Sequence, residues 1–429
     1  MAGKSEILTA ALTVCLLSHG ALAQSFTPAP VPAAPAEVRL AAAPSRYYGG
    51  VEYLLWSVKD APLAVPLLST APFTEPDRGG FLKDASATVL YGAPHPPSAG
   101  GNDTQSFPMF SGSRVTAGYW LDDAHNFALE GSAFLLQQQA AGYGFKSDSG
   151  GNPPTRIPLY NSVPYASGGV GMIVAPTEDG VPVSLPGDTT GSASFDSRLK
   201  FWGADALGAM TLYRSPSFEL TGLGGFSYLN LSEGFGLNVS IDGIPNTPYA
   251  GESGFTTDSF KTENQFFGGS LGVRGRYTYG RFSAEATAKL GVGLSHEIED
   301  ITGGFVDFNT PLVSNIPGVT YGQRLVTQGP NGIFAQPSNE GRRSTDKFAV
   351  APGVKFSLGY DLTSSIQLTV GYDFLYYSSV LRPTDQIDRS FSKGLPFQQD
   401  PTSTVGPMRM MRTTDFYAQG LNVGVAFKF

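Results

Sequence analysis

The chain has 429 residues, a formal net charge of −8 and only 15% charged residues. Soluble domains usually carry ~25% charged residues, so this sequence is unusually poor in charge. Its 53 glycines and 12% aromatic residues favour a glycine-rich β architecture. The acidic balance speaks against a nucleic-acid-binding protein, which needs a basic patch. We expect no cofactor and no metal site.

The N-terminal region has the features of a secretory signal peptide. Lys4 precedes an apolar run, and Ala21-Leu22-Ala23 forms a small-residue cleavage site, so residues 1–23 are predicted to be removed. Cys15 is the single cysteine and would leave with this segment, which excludes a disulfide in the mature protein. Residues 24–46 are rich in alanine and proline and are predicted to be a linker to a barrel domain at 47–429.

The remaining sequence contains no run of 18 apolar residues, so we predict no membrane-spanning helix. A closed β-barrel is the other structure that can satisfy its backbone polar groups inside a bilayer. Segments with alternating apolar residues recur along the chain and predict ten strands. They are Tyr48–Val58, Ser113–Asp122, Asn126–Gln137, Phe195–Tyr213, Phe218–Leu231, Phe266–Tyr279, Phe282–Ser295, the two arms of the hairpin Phe348–Tyr377, and Phe416–Phe429.

The hairpin Phe348–Tyr377 shows the pattern best. One face carries only apolar side chains, and the other carries small, polar or charged ones. Each arm exceeds the ~9–11 residues that a tilted strand needs to cross a bilayer. Aromatic residues at the ends of the apolar face, such as Phe348 and Tyr360, suit the two interfacial girdles of a membrane barrel.

Connection lengths alternate between tight turns and long loops. Tight turns join predicted strands two to three, four to five, six to seven and eight to nine, whereas the other connections are long and rich in glycine and proline. This alternation is typical of outer-membrane barrels, with short periplasmic turns and long extracellular loops. The predicted fold is therefore an all-β, closed antiparallel transmembrane barrel of about ten strands in the bacterial outer membrane. Outer-membrane lipid is an expected partner.

The last strand has the pattern of a barrel assembly signal. Asn422 and Gly424 are followed by the aromatic residues Phe427 and Phe429 at alternate positions. An apolar edge strand of this kind can pair with an insertase before it closes the barrel. We therefore expect the barrel-assembly machinery to be a partner through this strand.

Several motifs resemble the seventh of the putative β-barrel porin families. They are the segments 51–63 (VEYLLWSVKDAPL), 89–92 (VLYG), 118–123 (GYWLDD) and 129–134 (LEGSAF). Ser57 departs from the pattern, where a second tryptophan is expected. The family name implies a pore, and the resemblance brings no catalytic or ligand residues with it.

Charged residues on the non-apolar face are predicted to line the barrel interior. A two-residue turn at Gly280-Arg281 would place Arg276 opposite Glu285, and the turn at Thr363–Ser365 would place Lys355 opposite Asp373. The complete set comprises Glu52, Arg114, Glu130, Asp205, Glu219, Arg274, Arg276, Glu285, Lys289, Lys355 and Asp373.

Two interpretations of this interior remain open. One is a narrow water-filled pore for passive passage of small solutes, and the other is a closed interior filled by paired ions and a loop. Barrels of ~8 strands are filled by side chains and those of 16–18 leave a channel, so ten strands lie nearer the closed end. The open pore implies a porin, and the plugged barrel implies an adhesin or envelope-structural protein that presents its loops.

An enzyme is the alternative from another class. His296 lies near Glu297, Glu299 and Asp300 at the outer end of a strand, and one known class of ten-stranded proteases uses Asp and His at the barrel mouth. A solvated strand end explains the same residues more simply. The sequence therefore favours a protein that is not an enzyme and leaves the solute and the oligomeric state open.

Overall fold

The computed structural model describes residues 46–72, 81–161, 165–167, 172–174, 177–309, 325–391 and 406–428. The predicted signal peptide, the predicted linker up to residue 45, and Phe429 lie outside these residues. Among the described residues, no helix is long and apolar enough to cross a bilayer. The single helical turn there is a 3-10 turn at Pro383–Gln386.

Ten antiparallel strands form a closed ring, which confirms the predicted fold. Each strand pairs with the next one along the chain, and the last strand pairs with the first. A closed ring leaves no free strand edge, as a sheet in lipid requires. The strands are β1 (Tyr47–Val58), β2 (Phe110–Trp120), β3 (Phe127–Leu136), β4 (Thr189–Arg214), β5 (Phe218–Gly243), β6 (Ser253–Tyr279), β7 (Phe282–Asn309), β8 (Gly341–Asp361), β9 (Ile366–Leu381) and β10 (Thr413–Lys428).

The short connections all lie at one end of the ring, which we call the turn end. The tightest of them joins β6 to β7 through Gly280 and Arg281, and Gly280 has a φ of +59°. Glycine adopts this left-handed conformation without a steric cost. The opposite end carries the long connections and is called the loop end.

An apolar belt covers the outer face of the ring near the turn end. Leu358 and Val370 are each 48% exposed on this face, whereas Lys355 and Asp373 of the same hairpin point into the lumen. Strand alternation causes this separation, because successive side chains point to opposite faces. Further exposed members of the belt are Val51, Val115, Leu129, Leu271, Val292, Phe356 and Val423.

Aromatic contacts between neighbouring strands mark both edges of the belt. At the turn end, the rings of Tyr47 and Tyr119 are 5.0 Å apart. At the upper edge, Tyr228 lies between Trp202 at 5.0 Å and Phe267 at 4.9 Å. Amphipathic rings at these two levels are the girdles expected at membrane interfaces.

Strands β4 to β7 continue far above the belt, and here the predicted boundaries were wrong. They contain 26 to 28 residues. The predicted β4 and β6 began too late, at Phe195 and Phe266, and the predicted β5 and β7 ended too early, at Leu231 and Ser295. The polarity of the two faces reverses above the upper girdle. On β5, Phe235, Leu237 and Val239 are buried inside the wall, and the outward positions there are occupied by Gly, Asn and Ser. A search for one continuous apolar face therefore stops at the girdle.

The long connections build a small sheet that packs against the inner face of this extended wall. Its strands are Pro66–Thr70, Thr88–Gly92, Ala99–Gly100, Thr155–Asn161, Thr177–Ser184 and Ser390–Phe391. An apolar core forms between them: Leu68 and Ile157 from the small sheet pack with Phe195, Leu237 and Phe260 from the wall. We call this sheet, together with the segments 330–340, 382–391 and 406–412, the plug.

The belt yields the first prediction. Replacing the outward-facing Val354, midway between Phe348 and Tyr360 on β8, with arginine places a charge at the level of lipid tails and should lower the free energy of unfolding by about 2–4 kcal/mol. Denaturant titration of the protein folded into bilayers measures this loss. Phe348→Arg, at the upper edge of the belt, is the matched control and should cost about 0–1 kcal/mol. Equal losses at the two positions would contradict the placement of the belt.

Candidate functional site: a cross-braced lumen beneath an apolar septum

Ten of the eleven charges predicted to face inward surround one chamber at the level of the belt. The chamber has a volume of about 270 Å³. Glu219 lies on the same face but nearer the turn end, where its carboxylate is 2.7 Å from the Arg214 guanidinium. The ten are Glu52, Arg114, Glu130, Asp205, Arg274, Arg276, Glu285, Lys289, Lys355 and Asp373.

The first group of ion pairs crosses the lumen and departs from the predicted partners. Lys355 and Asp373 are opposite each other in register, as predicted. Their partners nevertheless lie on other strands, since Lys355 Nζ is 2.5 Å from Glu52, and Arg114 lies 2.9 Å from Glu52 and 3.1 Å from Asp373. The Asn422 amide also donates to Asp373 at 2.7 Å. Arg114 and Glu52 are register partners on β2 and β1, whereas the Lys355–Glu52 and Arg114–Asp373 contacts each bridge two intervening strands of the narrow ring.

A second group lies nearer the turn end. Arg274 donates two hydrogen bonds to Glu130, at 2.7 and 2.9 Å, although β4 and β5 separate their strands in the ring. Tyr48 donates to the same carboxylate at 3.1 Å. Arg276 lies 3.4 Å from Glu285, and the predicted register between these two residues is observed. Bidentate pairing of this kind fixes the geometry of both side chains.

A third contact closes the set. Lys289 Nζ of β7 is 2.5 Å from Asp205 of β4, which also accepts hydrogen bonds from Ser227 at 2.5 Å and Ser132 at 3.3 Å. The ten charges comprise five carboxylates and five cations, so the chamber has no net charge. Ions paired inside the wall are screened less by salt than pairs on an exposed surface. The arrangement braces the ring from within.

An apolar layer crosses the lumen directly above the chamber, and we call it the septum. Nine of the ten strands contribute side chains to it. The rings of Phe201 on β4 and Phe416 on β10 are 5.1 Å apart, although β1, β2 and β3 lie between these strands in the ring. This contact therefore spans the barrel interior. The septum comprises Leu54, Trp56, Val58, Phe110, Leu136, Leu199, Phe201, Leu229, Leu231, Phe266, Ala349, Ala351, Tyr377, Val380, Phe416 and Ala418.

Strand β7, which contributes no side chain to the septum, is joined to it by a hydrogen bond. Ser295 Oγ of β7 is 2.6 Å from the hydroxyl of Tyr377, and both side chains are buried. The ring of Tyr377 in turn meets Phe266 at 5.8 Å in an edge-on arrangement. Arg114 of the chamber lies 5.5 Å from the Trp56 ring, which joins the ionic layer to the apolar one. Each of the sixteen side chains of the septum is 8% exposed or less.

Buried polar contacts hold the plug to the wall above the septum. Arg382 begins the plug segment after β9, and its guanidinium is 2.5 Å from Glu233 of β5 with both side chains buried. The Asn264 side chain donates to the backbone carbonyl of Leu381 at 2.9 Å and accepts from its N–H at 2.7 Å. The two Asn264 bonds satisfy the backbone polar groups of Leu381, the last residue of β9, where the chain leaves the wall for the plug.

Asp258 anchors a second part of the plug. It faces inward on β6 and accepts hydrogen bonds from the backbone N–H groups of Ile333, Phe334 and Ala335 at 3.0, 2.9 and 2.7 Å. Burial raises the pKa of Asp258 to about 6, and the three N–H donors oppose that shift. The carboxylate thereby fixes the position of a loop inside the barrel.

The structure separates the residues of the enzymatic hypothesis. His296 lies on the outer face of β7, where its Nδ1 is 2.6 Å from Asp346 of β8. Glu297 and Glu299 point to the lumen instead, because neighbouring residues of a strand face opposite sides. Within the described ranges, no group of three or more His, Cys, Asp or Glu side chains is arranged to hold a metal ion.

The predicted assembly residues lie in the strand that closes the ring. Asn422 faces the lumen and is buried. At Gly424, an added Cβ would lie 2.5 Å from the Val51 carbonyl oxygen, so glycine permits the close approach of β1. Phe427 pairs in register with Gly49 and Ile366, and Phe429 lies outside the described residues. An assembly role for these residues remains a prediction.

Sequence reasoning missed the septum and the plug contacts. Phe201, Phe416 and Arg382 gave no separate signal, because alternation shows which face a residue occupies and does not show which residue meets it across the ring. A change in the face that carries the apolar residues, after Tyr228 on β5, is the signal that could have located the septum. It becomes informative once the direction of the lumen is known.

The comparison with protein families decides the identity of this barrel. The model described as Putative beta barrel porin-7 (BBP7) matches residues 48–429. The chain belongs to this family. The resemblance noted in the sequence is thereby confirmed, and membership agrees with an outer-membrane barrel. No curated protein matches the sequence of this porin-7 member.

Solved outer-membrane proteins give distant similarities to the porin-7 chain. The outer membrane protease OmpT from Escherichia coli has 10% identity and a TM-score of 0.44, covering 90% of this chain and 97% of its own. The Pseudomonas putida toluene transporter TodX has 8% identity and a TM-score of 0.19, covering 90% and 91%. A loop-deletion mutant of the Vibrio cholerae outer membrane protein OmpT has 9% identity and a TM-score of 0.18, covering 89% and 98%. Similarity this distant assigns none of their activities to the porin-7 chain.

The buried pair at the plug yields a second prediction. Glu233→Gln would remove the carboxylate that contacts the buried Arg382 guanidinium, so the free energy of unfolding should fall by about 3–5 kcal/mol. The double variant Glu233→Leu with Arg382→Met replaces the pair by apolar groups and should recover most of that loss. Denaturant titration of the wild type and both variants measures the difference. A double variant as unstable as the single one would contradict the pairing.

Proposed function

We propose that this porin-7 member is an outer-membrane barrel that is sealed at rest and presents a loop-built module at the cell surface. The septum is the observation that carries the proposal. Phe201 and Phe416 touch across the lumen, and the side chains around them come from nearly every strand. An open diffusion pore needs a continuous aqueous path, and a packed apolar layer opposes one. The sealed barrel therefore fits the geometry better than passive diffusion.

The loop end supplies the second half of the proposal. Strands β4 to β7 extend beyond the belt, and their inner face forms an apolar core with the small sheet. Such a core gives the outer loops a fixed shape, which a surface or envelope-structural protein requires. The apolar belt and its girdles support outer-membrane lipid as a partner, and the closing strand β10 supports recognition by the barrel-assembly machinery.

The chamber favours a second function, which is gated passage of small polar solutes. Its volume of about 270 Å³ and its polar lining suit water and small hydrophilic molecules. The balanced lining of five carboxylates and five cations would not favour either sign of charge. Passage would require displacement of the septum and the plug.

We propose further that the protein is not an enzyme. His296 and Asp346 form a contact on the outer face, and their side chains are 37% and 63% exposed. A mouth-site hydrolase would need its acid and base side chains to converge on a substrate cavity. Glu297, the nearest carboxylate in sequence, faces the opposite side of the same wall.

Single-channel recording tests the sealed barrel. The wild type in planar bilayers should show no steady ionic conductance, whereas Phe201→Ala combined with Phe416→Ala should open a path through the septum and produce discrete conductance steps. Phe255→Ala with Phe356→Ala, two exposed positions on the outer face, is the matched control and should stay silent. Steady conductance of the wild type at rest would overturn the proposal.

A further inference from the structure

Two carboxylates face the lumen just above the septum in an unusual environment. Glu297 and Glu299 alternate on the inner face of β7, and their side chains are 0% and 1% exposed. Among the described residues, none donates a hydrogen bond to any of their four carboxylate oxygens. The nearest cations are Lys347 Nζ at 3.6 Å from Glu297 and Arg409 Nε at 3.5 Å from Glu299. Charge is costly to bury when hydrogen bonds do not compensate it.

These carboxylates lie where the wall meets the plug. Arg409 joins two plug segments, because its guanidinium donates to the backbone carbonyls of Asn339, Glu340 and Gly341. Lys347 of the wall reaches the Met411 carbonyl at 3.5 Å. A change in the charge of Glu297 or Glu299 therefore acts directly on the side chains that bridge wall and plug.

The septum lies immediately below the same two residues. Ser295, two positions before Glu297 on β7, holds the Tyr377 hydroxyl. Asn264 of β6 is the register partner of Glu297 and contributes a neutral amide. The titratable or charged groups around the pair are Lys347 and Arg343 of β8, Tyr377 of β9 and Arg409 of the plug.

We propose that Glu297 and Glu299 form a proton-controlled latch that keeps the plug seated while they are neutral and loosens it when they ionise. This inference rests on the proposed sealed barrel and adds the means of its regulation. Neutral carboxyl groups fit a buried site without donors, whereas carboxylates need water or additional hydrogen bonds. Water can reach them only if the plug moves away from the wall.

The direction of the pH dependence follows from burial. Both residues lie above the upper girdle and outside the belt. Burial raises the pKa of Glu297 to about 7 and also raises the pKa of Glu299, while Lys347 and Arg409 oppose the shift. A hydrated glutamate has a pKa near ~4.3, so the seated plug binds protons more tightly than the loosened one. The seated state therefore weakens as the pH rises from about 4, and the loss is complete above about 7.

Hydrogen exchange of the plug tests the latch in the full-length protein. The probes are the buried backbone amides of Ile333, Phe334 and Ala335, which the plug donates to Asp258 of the wall. Wild type and Glu297→Gln are compared at the same pH, which removes the intrinsic pH dependence of exchange. The two should exchange equally near pH 4. Near pH 8 the wild type should exchange on the order of 100-fold faster.

Two further variants make the result decisive. Glu263→Gln removes a carboxylate from the outer face of β6, in the row adjacent to Glu297, and should exchange like the wild type at both pH values. Glu299→Gln gives an independent measurement if Glu297→Gln fails to fold, and it should also slow exchange near pH 8. Equal rates for the wild type and both latch variants near pH 8 would overturn the latch.

Conductance separates this failure from that of the sealed barrel. Steady current at every pH would contradict the seal whatever the exchange rates are. A silent wild type with pH-independent plug exchange would contradict the latch and leave the seal intact.

Discussion

A barrel wall in lipid must direct every charge inward, and this constraint determines the interior of the protein. The bilayer offers no hydrogen-bond partner, so the wall must close and its outer face must be apolar. Carboxylates and cations on the inner face then form ion pairs with one another. In a ring of ten strands, Arg274 reaches Glu130 and Lys289 reaches Asp205 across the lumen. The same pairs that satisfy the charges also brace the ring.

The polarity of the wall reverses at the upper girdle because its surroundings change. Below Tyr228 the outside is lipid and the inside is a polar chamber. Above it the outside is water, so the outward side chains become polar and the inner face becomes the apolar half of a core. Phe235 and Leu237 pack there against the small sheet. One set of strands thus builds a membrane barrel and a water-facing module with opposite patterns.

The septum separates these two environments and connects the proposals. It places Phe201 against Phe416 at the level where the chamber ends and the plug begins. Buried ion pairs such as Arg382 with Glu233 then hold the plug above it. Between septum and plug, none of the described residues donates a hydrogen bond to the Glu297 carboxylate, so we link its protonation state to how the plug sits. Burial of the apolar side chains of the septum produces the proposed seal, and burial of Glu297 produces its proposed pH dependence.

Local alternation in the sequence determined the class of fold, the face of each belt strand and even two registers. Leu358 and Lys355 differ by an odd number of positions, so the pleat alone assigns one to lipid and the other to the lumen. The partner of Lys355 was decided by the diameter and stagger of the closed ring, which bring Glu52 closer than Asp373. The septum, the plug and the surroundings of Glu297 likewise depend on contacts between residues distant in the chain. Periodicity describes which way a side chain points, whereas only the closed ring decides what it meets there.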